Sequence, residues 1–251
     1  MTKINQNIHR FGEEERHGVY RAIYERRDMR SYFTPTPIED RVLGRLLDAA
    51  HHAPSVGMMQ PWRFIVIRDA AVRKSVYELF QQANEAASSI YEDKEKALYI
   101  TLKLAGIVDA PVNLCVTCDV TSKRGRGLAR QTMPETAAYS TVCAIQNLCL
   151  AARAEGIGVG WVSIFEPERL RNLLGIPSEM LFVAYLCIGY ASQFDAQSEL
   201  QTRGWEVPSQ LPNLIHFDRY GNTDENRAAQ MLSALTRHNP AQNHNQLQFP
   251  A

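Results

Sequence analysis

Apolar positions along the chain repeat with two periods, one helical and one strand-like, in alternating blocks. From Glu14 the spacing is helical, with Val19, Ile23 and the aliphatic stem of Arg26 on one face, and it runs into Arg26-Arg27-Asp28-Met29-Arg30. Thr34-Pro35-Thr36-Pro37 breaks that pattern. Thr36 suits an N-cap, Pro37 the first helical position and Glu39 the capping-box acid of a second helix. That helix carries Val42, Leu43, Leu46, Leu47 and Ala50 on one face and ends near His52-Ala53-Pro54. A turn-rich run from Ser55 to Pro61 leads to a strand over Phe64–Ile67. The pattern predicts helices over 70–89 and 92–108, a strand over Val112–Cys118 and a polar loop over 119–134 holding Lys123, Arg124, Arg126 and Arg130. Residues 135–155 predict the most apolar helix, suited to a buried central position or a subunit interface. Gly156-Ile157-Gly158-Val159-Gly160 then leads into a strand over Trp161–Ile164. A short helix over 167–174 and a strand over 181–189 follow, and the chain is irregular after Gly204. Several helices fall consecutively, which favours an α+β sandwich over a doubly wound sheet. The expected organisation is a flexible N-terminus (1–15), one domain (16–220) and a polar, largely disordered tail (221–251).

Composition narrows the function classes. The 251 residues carry 27 Lys plus Arg against 27 Asp plus Glu. A formally neutral chain lacks the basic excess of a general nucleic-acid binder. No apolar run approaches the ~20 residues of a membrane span, and the first residues have no apolar core of a secretory signal. Five cysteines show no spacing that suggests a disulfide framework. The expectation is a cytoplasmic protein with reduced thiols, without nucleic-acid or membrane partners.

Four motifs could carry chemistry. Three guanidiniums within Arg26–Arg30 could grip a phosphate, each fork taking two oxygens; a solvated charged helix end reads equally well. Cys115-x-x-Cys118 lies in a strand pattern, where residues three apart face opposite ways, and no second pair completes a zinc site, so both read as core. His51-His52 likewise reads as a helix-end pair, and no metal is expected. Gly156–Gly160 follows a helix and precedes a strand, the reverse of a dinucleotide loop. Its glycines could let backbone approach a flat ligand closely, or could simply end a helix. Ser163 has no nucleophile-elbow context and suits hydrogen bonding to a ligand.

Taken in order, Arg26-Arg27-Asp28-Met29-Arg30, Ala53-Pro54-Ser55 with Gln60-Pro61-Trp62, and Gly158-Val159-Gly160-Trp161-Val162-Ser163 resemble the FMN-dependent nitroreductase family over roughly residues 20–192. The resemblance implies a mixed central sheet flanked by helices, and an obligate homodimer with flavin at its interface. It implies FMN contacts from Arg26, Arg27, Asp28, Met29, Arg30, Pro54, Ser55, Met58, Gln60, Leu104 and Ser163. Asp28 stands where the family usually has Ser, Met58 where it often has Asn, and Ser163 where it has Gly. Those departures, with the block from Tyr139 to Leu148, look like the family's flavin-consuming branch. That branch is implied to use reduced FMN as substrate and dioxygen as co-substrate, forming the benzimidazole lower ligand of vitamin B12 and releasing erythrose 4-phosphate. Asp28 would then be the catalytic base, Ser163 would orient the ring, and Lys103-Leu104-Ala105-Gly106-Ile107 would form a lid. A flavin reductase or another source of reduced FMN would supply the substrate. One departure bears on the phosphate grip: Glu206 follows Gly204-Trp205, where members often carry basic residues. The alternatives are an NAD(P)H-dependent nitroreductase that retains its flavin, and a non-catalytic flavin-binding module.

Overall fold

The computed structural model describes residues 9–233. Its contacts divide into two compact units, Arg21–Phe194 and a second made of the described residues up to Tyr20 and from Asp195. The larger unit is built on four strands: β1 (Trp62–Ile67), β2 (Val112–Asp119), β3 (Ile157–Val162) and β4 (Met180–Tyr190), ordered β1-β2-β4-β3. All neighbouring strands pair antiparallel, which corrects the expected mixed sheet. The connections explain it. A single-helix crossover makes strands parallel, and α5 (Thr136–Ala154) joins β2 to β3 in that way, but β4 inserts between them and opposes both. Among the described residues, the one parallel pairing at the sheet is an isolated bridge between Asp28 and Val159.

Strand alternation divides the core. Val112, Leu114 and Val116 pack with Leu46, Ala144, Leu148 and Leu186 on one face, beneath α2 (Asp40–His51) and α5. Cys115, Tyr185 and Cys187 face the other side, with Val76 and Phe80 of α3 (Ala70–Ser88) and Leu170 of α6 (Pro167–Leu174).

Several boundaries differ from the pattern. Thr36 does not cap α2: the helix starts at Asp40 with Glu39 as its N-cap. Ile38, 1% exposed, is driven into the core, and its carbonyl accepts from Arg68 Nη1 at 2.9 Å while Arg68 Nη2 pairs with Asp40. The chain therefore stays non-helical until Ile38 is seated, and Glu39 is still extended. The helix expected over 92–108 stops early, as α4 (Asp93–Thr101), and Leu102 is extended. Beyond it Ala105 and Ile107 are drawn into the core, and Arg73 Nη1 ties down the Ala110 carbonyl at 2.5 Å. The strand expected from Trp161 instead begins at Ile157 and ends at Val162, so Gly158 and Gly160 lie within it and Gly156 just before it.

In the smaller unit, Ser198 caps the short α7 (Glu199–Thr202). Asp224 Oδ1 accepts the Arg227 N–H at 2.9 Å and starts α8 (Glu225–Leu232), and the Arg227 guanidinium lies 4.1 Å from the Phe217 ring centre. An ordered helix thus occupies part of a segment expected to be largely disordered; residues 1–8 and 234–251 lie outside the described residues. α1 (Glu13–Glu25) runs from this unit into the larger one.

Cys115 and Cys118 are buried and belong to separate clusters. Burial pushes the Cys115 and Cys187 thiols up to about 12. Thiolates are the reactive form. Native protein treated with iodoacetamide near pH ~8 should therefore keep Cys115, Cys118 and Cys187 unmodified until it is unfolded. Mass-spectrometric labelling of Cys115 in the folded protein would contradict a core role for the pair.

Candidate functional site

The guanidinium motif leaves α1 and runs beside the edge strand β3. The Met29 N–H donates to the Val159 carbonyl at 3.0 Å. Side chains at 158 and 160 would prevent this approach: a Cβ on Gly158 would stand 2.8 Å from Met29 Cγ, and one on Gly160 would collide with the Met29 carbonyl oxygen. The glycine run therefore does both jobs open to it: Gly156, at positive φ with its N–H on the Arg153 carbonyl, ends α5, and Gly158 and Gly160 admit a segment of the chain itself. Docked there, Asp28 accepts the Trp161 N–H on Oδ1 at 2.7 Å and pairs through Oδ2 with Arg30 Nη2 at 2.5 Å.

Arg30 is held differently from a solvated helix end. Its side chain is only 13% exposed, and its Nε is buried without a hydrogen-bond partner. A buried unpaired donor is costly unless something accepts from it. Arg27 turns back on its own helix end, donating to the Tyr24 and Arg26 carbonyls at 2.8 and 2.7 Å. Arg26 is half-buried near Cys149, whose thiol burial pushes up to about 11 while the Arg26 charge pulls it back. The Asp28 side chain is 35% exposed, so its carboxylate stays within reach of a ligand.

Ser163 follows directly on the end of β3 and is exposed. Leu104 lies in the strap after α4, and Gly106 brings that strap against the Arg30 segment. A Cβ there would come within 2.5 Å of the Phe33 ring and 3.2 Å of the Arg30 carbonyl oxygen. Lys103 and Asp109 close the strap's base at 2.8 Å. Asp28, Met29 and Arg30 are thus brought together with the Leu104 strap on one side and the β3 end that carries Ser163 on the other.

Pro54, Ser55, Met58 and Gln60 form a second group on the α2–β1 connection. Ser55 Oγ accepts the Gln60 N–H at 3.1 Å, and Ser140 Oγ of α5 accepts the Val56 N–H at 3.0 Å. Gly57, Met58 and Gln60 all have positive φ, and Met58 is 79% exposed. A 3-10 turn over Arg124–Gly127 packs on this loop, with Arg124 Nη2 donating to Gln60 Oε1 at 3.1 Å. The two groups attach to different parts of α5, one near Cys149 and one at Ser140, about 13 Å apart along a helix axis. Phe33 stands in no motif of the sequence. Although Ser140 and Trp161 lie in stretches that carry the resemblance, the contacts of the Ser140 hydroxyl with Val56 and of the Trp161 N–H with Asp28 act across the fold and have no local signal.

The larger unit defines a family. A model described as the nitroreductase family matches residues 23–190, and the chain belongs to that family. More particularly, a protein of Rhodospirillum rubrum named 5,6-dimethylbenzimidazole synthase is 43% identical over 78% of this chain and 92% of its own. One from Rhodobacter capsulatus with the same name is 40% identical over 78% and 94%. With relatives of that name, the chain is an oxidoreductase-type enzyme of the family. Among solved structures, oxidised iodotyrosine deiodinase bound to FMN and 3-iodo-L-tyrosine shares the fold, with a TM-score of 0.63 at 19% identity over 81% of this chain and 99% of that one. A BluB-like flavoprotein from Clostridium difficile gives 0.60 at 16% identity over 80% and 99%.

Gly160→Ala tests the docking of Asp28. The obstructing atom belongs to backbone and cannot swing aside, so the variant should lose at least about 2 kcal/mol of stability, read from urea unfolding. An unchanged midpoint would show that residues 28–29 need no close approach to β3.

Proposed function

We propose that the chain fragments reduced FMN with dioxygen, forming 5,6-dimethylbenzimidazole and releasing erythrose 4-phosphate. The observation that carries this reading is a carboxylate, Asp28, fixed by a backbone N–H beside a desolvated arginine with a donor to spare. A flavin enzyme that returns its cofactor intact needs no base beside the phosphate anchor. One that cleaves carbon–carbon bonds does.

The residues present fit FMN. The buried, unpaired Nε of Arg30 suits a phosphate oxygen, and a guanidinium–phosphate contact is charge-assisted. Arg26 and Arg27 add positive charge to the same grip, and Met29 fixes its backbone. When bound, reduced FMN supplies both the electrons for dioxygen and the carbon skeleton of the product. Asp28 holds Arg30 in place and keeps lone pairs on both carboxylate oxygens, from which it accepts a proton as general base. The Ser163 hydroxyl orients the ring by hydrogen bonding. Leu104, on its strap, excludes water from the site. Pro54, Ser55, Met58 and Gln60 present a backbone-rich surface to the ring and ribityl chain. A flavin reductase or another reductant supplies the reduced form.

A second copy of the chain completes each site. Along α5, Tyr139, Val142, Cys143 and Gln146 form an exposed stripe at helical spacing, on the helix that carries both groups. Pairing two copies through this stripe covers its apolar surface and lets one copy's loop meet the other's Asp28 group. Sedimentation should show a homodimer that binds two flavins. A stable monomer that binds FMN would defeat the shared-site reading.

Asp28→Asn keeps the acceptor for Trp161 while removing the proton acceptor. Reduced FMN should bind and return to intact FMN under air, with benzimidazole yield down about 10²–10⁴-fold. Ser163→Gly should lower the ratio of benzimidazole to recovered FMN less severely. Wild-type yield from Asp28→Asn would refute its role as base, and repeated pyridine-nucleotide turnover with flavin conserved would favour an ordinary nitroreductase.

A further inference from the structure

The turn over Arg124–Gly127 carries positive charge of a different kind from the Arg30 site. Between Asp119 and Glu135 the chain has four cations and no acid. One of them is structural: Arg130 Nη1 donates to the Ser122 carbonyl at 2.5 Å and the Val120 carbonyl at 3.3 Å. Arg124 bonds a neutral partner, Gln60. Lys123 and Arg126 are exposed and take part in no ion pair among the described residues. Elsewhere Arg21, Arg30, Arg45, Arg63, Arg68 and Arg153 each face a carboxylate.

This turn is fixed against the Pro54–Gln60 loop. A Cβ on Gly125 would lie 2.5 Å from the Gly57 carbonyl oxygen, and one on Gly57 would lie 3.0 Å from the Gly125 carbonyl oxygen, so the two backbones touch. Charge that is exposed and unpaired is a poor grip, because water screens it and nothing orders it. It is well suited to attraction at a distance, which needs no ordered contact.

We propose that Lys123 and Arg126, helped by Arg124, form an encounter surface for phosphate-bearing flavin. They draw the dianionic ligand to the mouth of the site, and the desolvated Arg30 then holds it. This role rests on the flavin-binding reading above, and it divides the work between two sets of cations. The exposed set governs the association rate, and the buried set governs the residence time.

Stopped-flow fluorescence with oxidised FMN, and with riboflavin as the ligand that lacks phosphate, separates the two. In Lys123→Glu/Arg126→Glu the association rate for FMN should fall about fivefold or more at low salt. That loss should fade at about 0.5 M salt, where screening reaches within a few ångströms. The dissociation rate should stay within about twofold, as expected of exposed charges outside the bound contact. Riboflavin association should not change. The milder Lys123→Gln/Arg126→Gln should shift the FMN rate the same way by less, and Arg30→Ala should instead speed FMN release. An FMN association rate equal to wild type at low salt overturns the proposal. A loss carried mainly by faster dissociation, or one shared by riboflavin, also overturns it. Absence of FMN binding to the wild-type protein at equilibrium would overturn the flavin reading itself, and the encounter surface with it.

Discussion

The larger unit depends on how closely two backbones approach at the edge of its sheet. β3 is an edge strand, and an unpaired edge is open to other chains. Residues 28 and 29 cover part of it because Gly158 and Gly160 leave room for Met29. That placement also sets the chemistry. It turns the Asp28 carboxylate onto the Trp161 N–H, and through the pair with Arg30 it fixes a guanidinium whose buried Nε has no partner. Fold and site therefore draw on the same contact, and a change that loosens one disturbs the other.

The second group is built on different terms. Its loop holds two non-glycine residues, Met58 and Gln60, in the left-handed region, a conformation of order 1–3 kcal/mol above the ordinary one at each. Hydrogen bonds donated by the Gln60 and Val56 N–H groups to the Ser55 and Ser140 hydroxyls, with the Gly57–Gly125 contact, hold the loop in that shape. Strain retained at an exposed loop beside a candidate site is consistent with a surface shaped for a ligand. Met58, largely exposed at its tip, is the side chain this arrangement presents.

Much of this was legible in the sequence where the cause is local. The apolar stripe of α2, the buried strand β2, the short α6 and the opposed thiols of Cys115 and Cys118 follow from periodicity. What failed was set by partners distant in sequence. Thr36 has the right chemistry for a cap, yet Ile38 and Arg68 move the helix start. Residues 102–108 have a helical composition, yet Ala105 and Ile107 satisfy the core from a non-helical strap that closes in a turn, with the Ala110 N–H on the Gly106 carbonyl. The glycines of β3 were visible as a place for close approach, but the approaching group, Met29, lies some 130 residues earlier. Arg30 and Asp28 are two residues apart, so their pairing could be expected; the Trp161 N–H that orients them could not.

The length of α5 between its two attachments has a genetic consequence. If each site draws Asp28 from one copy and the Met58 loop from the other, the two defects need not add when they reside on different chains. In a mixed dimer, one copy damaged at position 28 and the other in the 55–60 loop leave one site doubly broken and the other whole. Two inactive alleles would then rescue each other when expressed together, recovering at most one working site per mixed dimer. Two lesions on the same side of the division would not.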